Sequence, residues 1–277
     1  VGGLTVPGVP MRFPVPMETG HGEEGGWHTP SLEDFEFVGG FGGPDWVNKP
    51  FIQAVLAAVI VIVLWLLASR RLKVVPGKLQ FLNEYFYNFI RNGVALEVLG
   101  QHDFRRYVPY LVGLFSFIWV NNLMGLFPLL MFPTFSNIGY AWGLVILTYV
   151  IYNVAGVARH GMKYFKNSLL PAGVPWPLWF VIIPIEFLSN FVIRPLTLGL
   201  RLFGNLLAGH LVVLVFVTGG AYLLFQADGV INKVAGGASL VFSFAIFALE
   251  LLVSSLQAYI FTVLTAQYVA SSLAEDH

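Results

Sequence analysis

Residues 50–69 form the plainest feature of the chain: a run rich in Leu, Ile, Val and Ala throughout, with no charge. About 20 apolar residues are what a helix needs to cross ~30 Å of hydrocarbon. Residues 107–131 and 139–158 repeat the pattern, joined by an uncharged turn containing Pro and Asn. Residues 78–99 differ. Leu79, Leu82, Phe86, Phe89 and Ile90 recur at helical spacing, while Gln80, Asn83, Glu84, Tyr87 and Arg91 take the other positions. That alternation predicts an amphipathic helix lying on the membrane surface, with Gly93 marking its weak end.

The two last apolar segments, 176–226 and 235–270, are too long for upright spans. At ~1.5 Å per residue they would reach ~75 and ~54 Å, against ~30 Å of hydrocarbon. They must be steeply tilted, bent at Pro184 or Pro195, or divided. Asp228-Gly229 between them is a turn signal. The expected fold is therefore an all-α integral membrane protein. It has five transmembrane helices and one interfacial helix, and the last two spans form a long, tilted antiparallel hairpin.

Composition agrees with this reading. The chain is 57% hydrophobic and 11% charged, where soluble domains carry roughly 25% charge. Residues 1–49 depart from it. They are rich in Gly and Pro, hold seven of the fifteen acidic residues, and read as an extramembrane tail preceding a membrane domain over 50–277. Zero net charge argues against nucleic acid as a partner, and zero cysteines leave no disulfide or thiolate metal site. No phosphate-cradling glycine loop is present, and no cofactor or metal is expected. Ten of the fifteen basic residues fall in 70–91, 105–106 and 159–166. Five spans with the N-terminus outside put all three segments, and the C-terminus, in the cytoplasm.

Ionisable residues inside the bilayer carry the functional signal. An arginine at a helix centre costs at least ~2.5–3.5 kcal/mol, yet the last two segments hold Glu186, Arg194, Arg201, His210 and Glu250, with Asn190, Asn205 and Gln257 beside them. The expectation is an ion path; the plainer alternative is a set of buried pairs joining helices. Arg194 lies near the cytoplasmic end and can snorkel, whereas Arg201 cannot readily reach water. Gly199, Gly204 and Gly209 read as packing points, and Asn205 and Gln257 could be simple interhelical hydrogen bonds.

In an antiparallel hairpin, facing residues have a nearly constant sum of residue numbers. The pairs Arg201–Gln257 and His210–Glu250 both place the apex near residues 229–230, where the turn signal lies. Nine residues at ~100° each put His210 on the side of its helix opposite Arg201. Arg201 and Asn205, four apart, share a face. Two offset paths separated by a blocking charge would need this arrangement.

The run from Arg194 through Pro195, Arg201, Gly204 and Asn205 to His210, followed by Leu256-Gln257-Ala258-Tyr259-Ile260-Phe261, closely resembles the signature of subunit a of F-type ATP synthases. The resemblance covers the chain from the first span onward. It implies two long tilted helices against a rotating ring of c subunits, a peripheral stalk of b subunits, the rest of the synthase, the lipid bilayer and a bacterial plasma membrane. It implies that Arg201 matches the family's essential arginine. Asn205 and Gln257 match its polar neighbours at the ring, and His210 and Glu250 match an interacting pair near the outer half-channel. Some relatives carry that acid and histidine in the reverse order. Some carry an acid where Gly125 stands, so the inlet is expected to rely on Asn121, Asn122 and water. Glu186 is the expected outlet group. No catalytic residue is implied, since ATP would be made in a soluble sector.

Two other classes fit less well. A secondary ion transporter using intramembrane Arg, Glu and His should show paired halves, and none is visible. A bis-histidine haem needs facing histidines at membrane depth. Of the six histidines only His210 qualifies, with His21, His28, His102, His160 and His277 read as loop or tail residues.

Overall fold

The computed structural model describes Pro30 and residues 48–70, 77–126, 134–169 and 178–274. Apart from Pro30, Asn48 and Lys49, the acidic tail lies outside the described residues. Helix α1 (Lys49–Ser69) starts where Asn48 caps it: Phe51 N–H donates to the Asn48 side chain at 3.1 Å, and Pro50 sits in the first turn. Its outward residues are apolar and exposed, as lipid contact requires. Trp65 anchors it by donating to Ser116 Oγ at 3.1 Å.

Helix α2 (Lys78–Ile90) is the amphipathic segment. Phe86 packs against Phe115 and Trp119, while Phe81, Leu82, Tyr85 and Phe89 stay exposed. The helix expected over 78–99 is present up to a break at Gly100, with one irregularity. After α2 the chain winds wider through a π-helical turn (Arg91–Leu96) that takes in Gly93. It then continues into α3 (Glu97–Leu126) and breaks at Gly100, with φ 73° and ψ 175°. Only glycine adopts that conformation readily. The second span thus follows directly from Gly100 and not from residue 107; its end beyond Leu126 lies outside the described residues.

Helix α3 is the centre of the bundle: 61% of its most apolar stretch is buried, against 17% in each of the last two spans. Leu111, Phe115 and Ile118 pack with residues of the other spans, including Val145, Leu202 and Phe261. Helix α4 (Ile138–His160) ends at Gly161, and a short helix α5 (Lys163–Leu169), which the apolar pattern did not reveal, follows it. The segment expected over 176–226 is α6 (Trp179–Phe187), a π-helical turn (Leu188–Ile193) and α7 (Arg194–Phe225), continuous over 47 residues. Helix α8 (Val230–Leu273) runs for 44 residues, longer at both ends than the expected 235–270. Gly229, with φ 108°, makes the turn between them.

Helices α7 and α8 touch backbone to backbone near that turn. A methyl group at Gly236 would lie 2.7 Å from Leu224 N and 2.8 Å from Gly220 O. By contrast, a methyl group at Gly204 would meet nothing within 4 Å. The described residues therefore comprise five candidate membrane spans and no strand, with the outer face of the hairpin left uncovered.

Gly236→Ala should therefore force the helices apart and lower the thermal unfolding midpoint of the detergent-solubilised protein, by an overpacking cost of about 1–3 kcal/mol. Gly204→Ala should leave that midpoint unchanged. Equal effects in the two variants would contradict the close packing.

Candidate functional site

The polar residues of α7 divide between two sides of the helix. Leu200, Arg201 and Asn205 are exposed, whereas Leu198, Leu202, Leu206 and His210 are buried. The cause is the 3.6-residue period: Arg201 and Asn205 are one turn apart, and His210 is half a rotation away. Arg201 makes no hydrogen bond or ion pair with the described residues. Its guanidinium stands on the uncovered face of the hairpin.

Behind that face, His210 and Glu250 are in contact through Nδ1 and Oε1, both side chains more than nine-tenths buried. The other imidazole nitrogen, Nε2, lies 3.0 Å from the carbonyl oxygen of Gly125. A carbonyl only accepts, so Nε2 carries a hydrogen and the tautomer is fixed. One further proton, shared between Nδ1 and Oε1, makes either an imidazolium beside a carboxylate or a neutral imidazole beside a carboxylic acid. The arrangement can thus share one proton between the two side chains. Gly209 makes room for it, since a methyl group there would come within 3.0 Å of Glu250 Oε1.

Gln257, 1% exposed, accepts from Asn205 Nδ2 at 2.8 Å. So the residue that meets Gln257 across the hairpin is Asn205, one turn along from Arg201. A groove of about 200 Å³ opens here, lined by Asn205, Gly209, Glu250, Ser254 and Gln257 among others. It links the buried proton pair to the uncovered face.

Asn121 and Asn122 are wholly buried on α3. Asn122 Nδ2 donates to the Ser254 carbonyl at 3.0 Å, joining α3 to α8 one turn past Glu250. Asn121 donates to the Phe117 carbonyl and accepts from Thr134 Oγ1. Asn122 Oδ1, Ser254 Oγ and Gln257 Nε2 are buried without a protein partner. In hydrocarbon such atoms call for water, and they lie between Glu250 and Gln257.

Glu186 is not part of this cluster. It lies on α6, about 20 Å of helix away from Arg201, where its carboxylate accepts from Asn190 Nδ2 at 3.0 Å. Asn190 also donates to the Ser168 carbonyl. Asn190, in the π-helical turn at Leu188–Ile193, and Arg194, one turn further on, line the same cavity, of about 290 Å³. Arg194 sits with its guanidinium 5.5 Å from the Tyr268 ring, a cation–π contact that holds a charge at membrane depth.

Two groups escaped the sequence reading. Gly125 acts through its carbonyl, and no side chain could signal that. His160 was read as a loop residue; it is the last residue of α4, and its Nε2 is buried against the cavity that Glu186 lines. Helix periodicity carried past Val157 would have reached it. His102 likewise stands within α3 and not in a loop, beside Asp103. No group of three or more potential metal ligands occurs among the described residues.

The family model described as ATP synthase A chain matches residues 51–270. The ATP synthase subunit a of Nocardioides sp. is 41% identical over 267 residues, covering 92% of this chain and 96% of the relative. That of Pseudarthrobacter chlorophenolicus is 42% identical over 236 residues, covering 85% and 88%. The Streptomyces lividans protein of the same name is 38% identical over 256 residues, covering 91% and 90%. With the matched region running from α1 to the end of α8, the chain belongs to the ATP synthase A chain family, and with it to the stator of the membrane sector of a bacterial ATP synthase.

Proposed function

We propose that this chain forms two offset proton half-channels against a ring of c subunits, with Arg201 separating them. The observation that carries the reading is the division of α7. Arg201 and Asn205 stand on an uncovered apolar face, and the His210–Glu250 pair is buried on the side away from it. The c ring would cover that face and supply a carboxyl group to Arg201. The b subunits of the peripheral stalk would hold this chain still, residues 50–277 forming the membrane domain and 1–49 an extramembrane tail. The termini would lie outside (N) and in the cytoplasm (C), by the positive-inside rule.

A proton enters from outside past Asn121 and Asn122 to the His210–Glu250 pair. It continues along the groove by Ser254, Gln257 and Asn205 and neutralises a ring carboxylate. Once neutral, that group can face lipid, because no charge opposes its transfer. After the ring has turned, the proton leaves through the second cavity beside Glu186. Arg201 attracts the carboxylate after it has lost its proton. Its guanidinium stays charged at any physiological pH and repels a proton that would cross directly between the two paths. Each charge moved contributes ~2.3 kcal/mol per 100 mV of membrane potential.

Three outcomes are expected. A cysteine at position 205, paired with one beside the c-subunit carboxylate, should form a disulfide cross-link in native membranes and stop ATP synthesis. Efficient labelling of position 205 with no c-subunit adduct would remove the ring from this face. In membrane vesicles, Arg201→Ala should abolish ATP-driven proton pumping; pumping that persists would end the blocking role of the arginine. For the proton pair, His210→Glu combined with Glu250→His should lose less proton flux than either single change. Strictly additive losses would show that the two side chains act separately.

A further inference from the structure

The cavity beside Glu186 reaches the ends of five helical elements. His160 closes α4, Tyr164 lies on α5, Glu186 on α6, Arg194 opens α7, and Ser272 is near the end of α8. Three of its polar atoms are buried without a protein partner: Nε2 of His160, the hydroxyl of Tyr152 and Oδ1 of Asn190. Such atoms are costly to bury unless water meets them. At ~30 Å³ per water, about 290 Å³ holds several.

His160 differs from the other lining groups in where it stands. Its Nε2 is buried against the cavity, while the residue as a whole is only half-buried. The residue therefore stands at the edge of the cavity, with one ring nitrogen buried against it. Its neighbour Arg159 pairs with Asp103 at 2.6 Å. The charged and titratable groups that share the cavity with His160 are Tyr152, Tyr164, Glu186 and Arg194; α8 contributes the hydroxyls of Ser271 and Ser272. Among these side-chain types, imidazole is the one that ordinarily both takes and gives a proton near neutral pH. Arg194 is a fixed cation at the inner wall and disfavours an excess proton resting there.

We infer that His160 is the proton-transfer group at the cytoplasmic mouth of the outlet, a role that rests on the half-channel reading above. Neutral His160 takes a proton from cavity water at Nε2 and becomes imidazolium. The imidazolium then turns Nε2 toward the cytoplasmic side, gives that same proton to bulk water and turns back neutral in its starting tautomer. No group is consumed, and one proton crosses for each cycle.

The test uses the assembled synthase in inverted membrane vesicles, with ATP hydrolysis as the measure of assembly. His160→Ala and His160→Gln should slow proton flux roughly tenfold. Both should also alter how flux depends on the pH of the cytoplasmic side. Imidazole added on that side should restore His160→Ala, and a merely structural histidine would give no such rescue. Normal flux in His160→Gln, or slow flux with an unchanged pH profile and no rescue, would overturn the inference. Glu186→Gln is measured in parallel. Normal flux in that variant as well would overturn the outlet itself, whereas slow flux in Glu186→Gln alone would overturn only the role of His160.

Discussion

The close apposition of α7 and α8 is the constraint on which the site depends. In hydrocarbon, backbone groups must be satisfied within the helices, so polar chemistry can pass only between side chains. Two helices must then approach closely enough for side chains to meet across the seam. Gly220 and Gly236 let the backbones touch near the turn, and Gly209 leaves room for the Glu250 carboxyl group beside His210. With larger residues at these points the hairpin would open, and His210 and Glu250 would each be an isolated polar group in a medium that penalises one heavily.

The same medium explains why the polar groups are so unevenly satisfied. His210 and Glu250 are buried against each other, and Asn121 and Asn122 are buried with hydrogen bonds to Thr134 and the Ser254 carbonyl. Arg201 makes no hydrogen bond or ion pair with the described residues and is exposed. A charge so placed is not made stable by this chain alone. It belongs to a surface that another part of the synthase completes, which fits the large uncovered apolar area on the same side of α7 and α8. Arg194 shows the contrast: a second arginine on the same helix, held over Tyr268 inside a polar cavity.

The two π-helical turns deserve a physical account too. Each adds one residue to a turn and rotates everything beyond it relative to a regular helix. The first, at Arg91–Leu96, precedes the break at Gly100 where the surface segment gives way to the central span. The second, at Leu188–Ile193, lies between Glu186 and Arg194, which line one cavity with Asn190 and His160.

Much of this was legible in the chain itself. Length and hydrophobic runs determined the all-helical membrane fold and the five spans, because ~30 Å of hydrocarbon sets a length and a composition that few other folds share. Residue-number sums placed His210 opposite Glu250, since an antiparallel hairpin with one turn leaves a single register. The 3.6-residue period put Arg201 and His210 on opposite sides. What the sequence could not carry is whatever works through the backbone or through contacts distant in the chain. The Gly125 carbonyl that fixes the His210 tautomer has no side-chain signature. The π turns follow no apolar pattern. Asn205, and not Arg201, meets Gln257, because which side chain points across the seam depends on its angle about the helix as well as on register. The cavity beside Glu186 gathers residues from five elements, and only their packing brings His160 and Glu186 to one place.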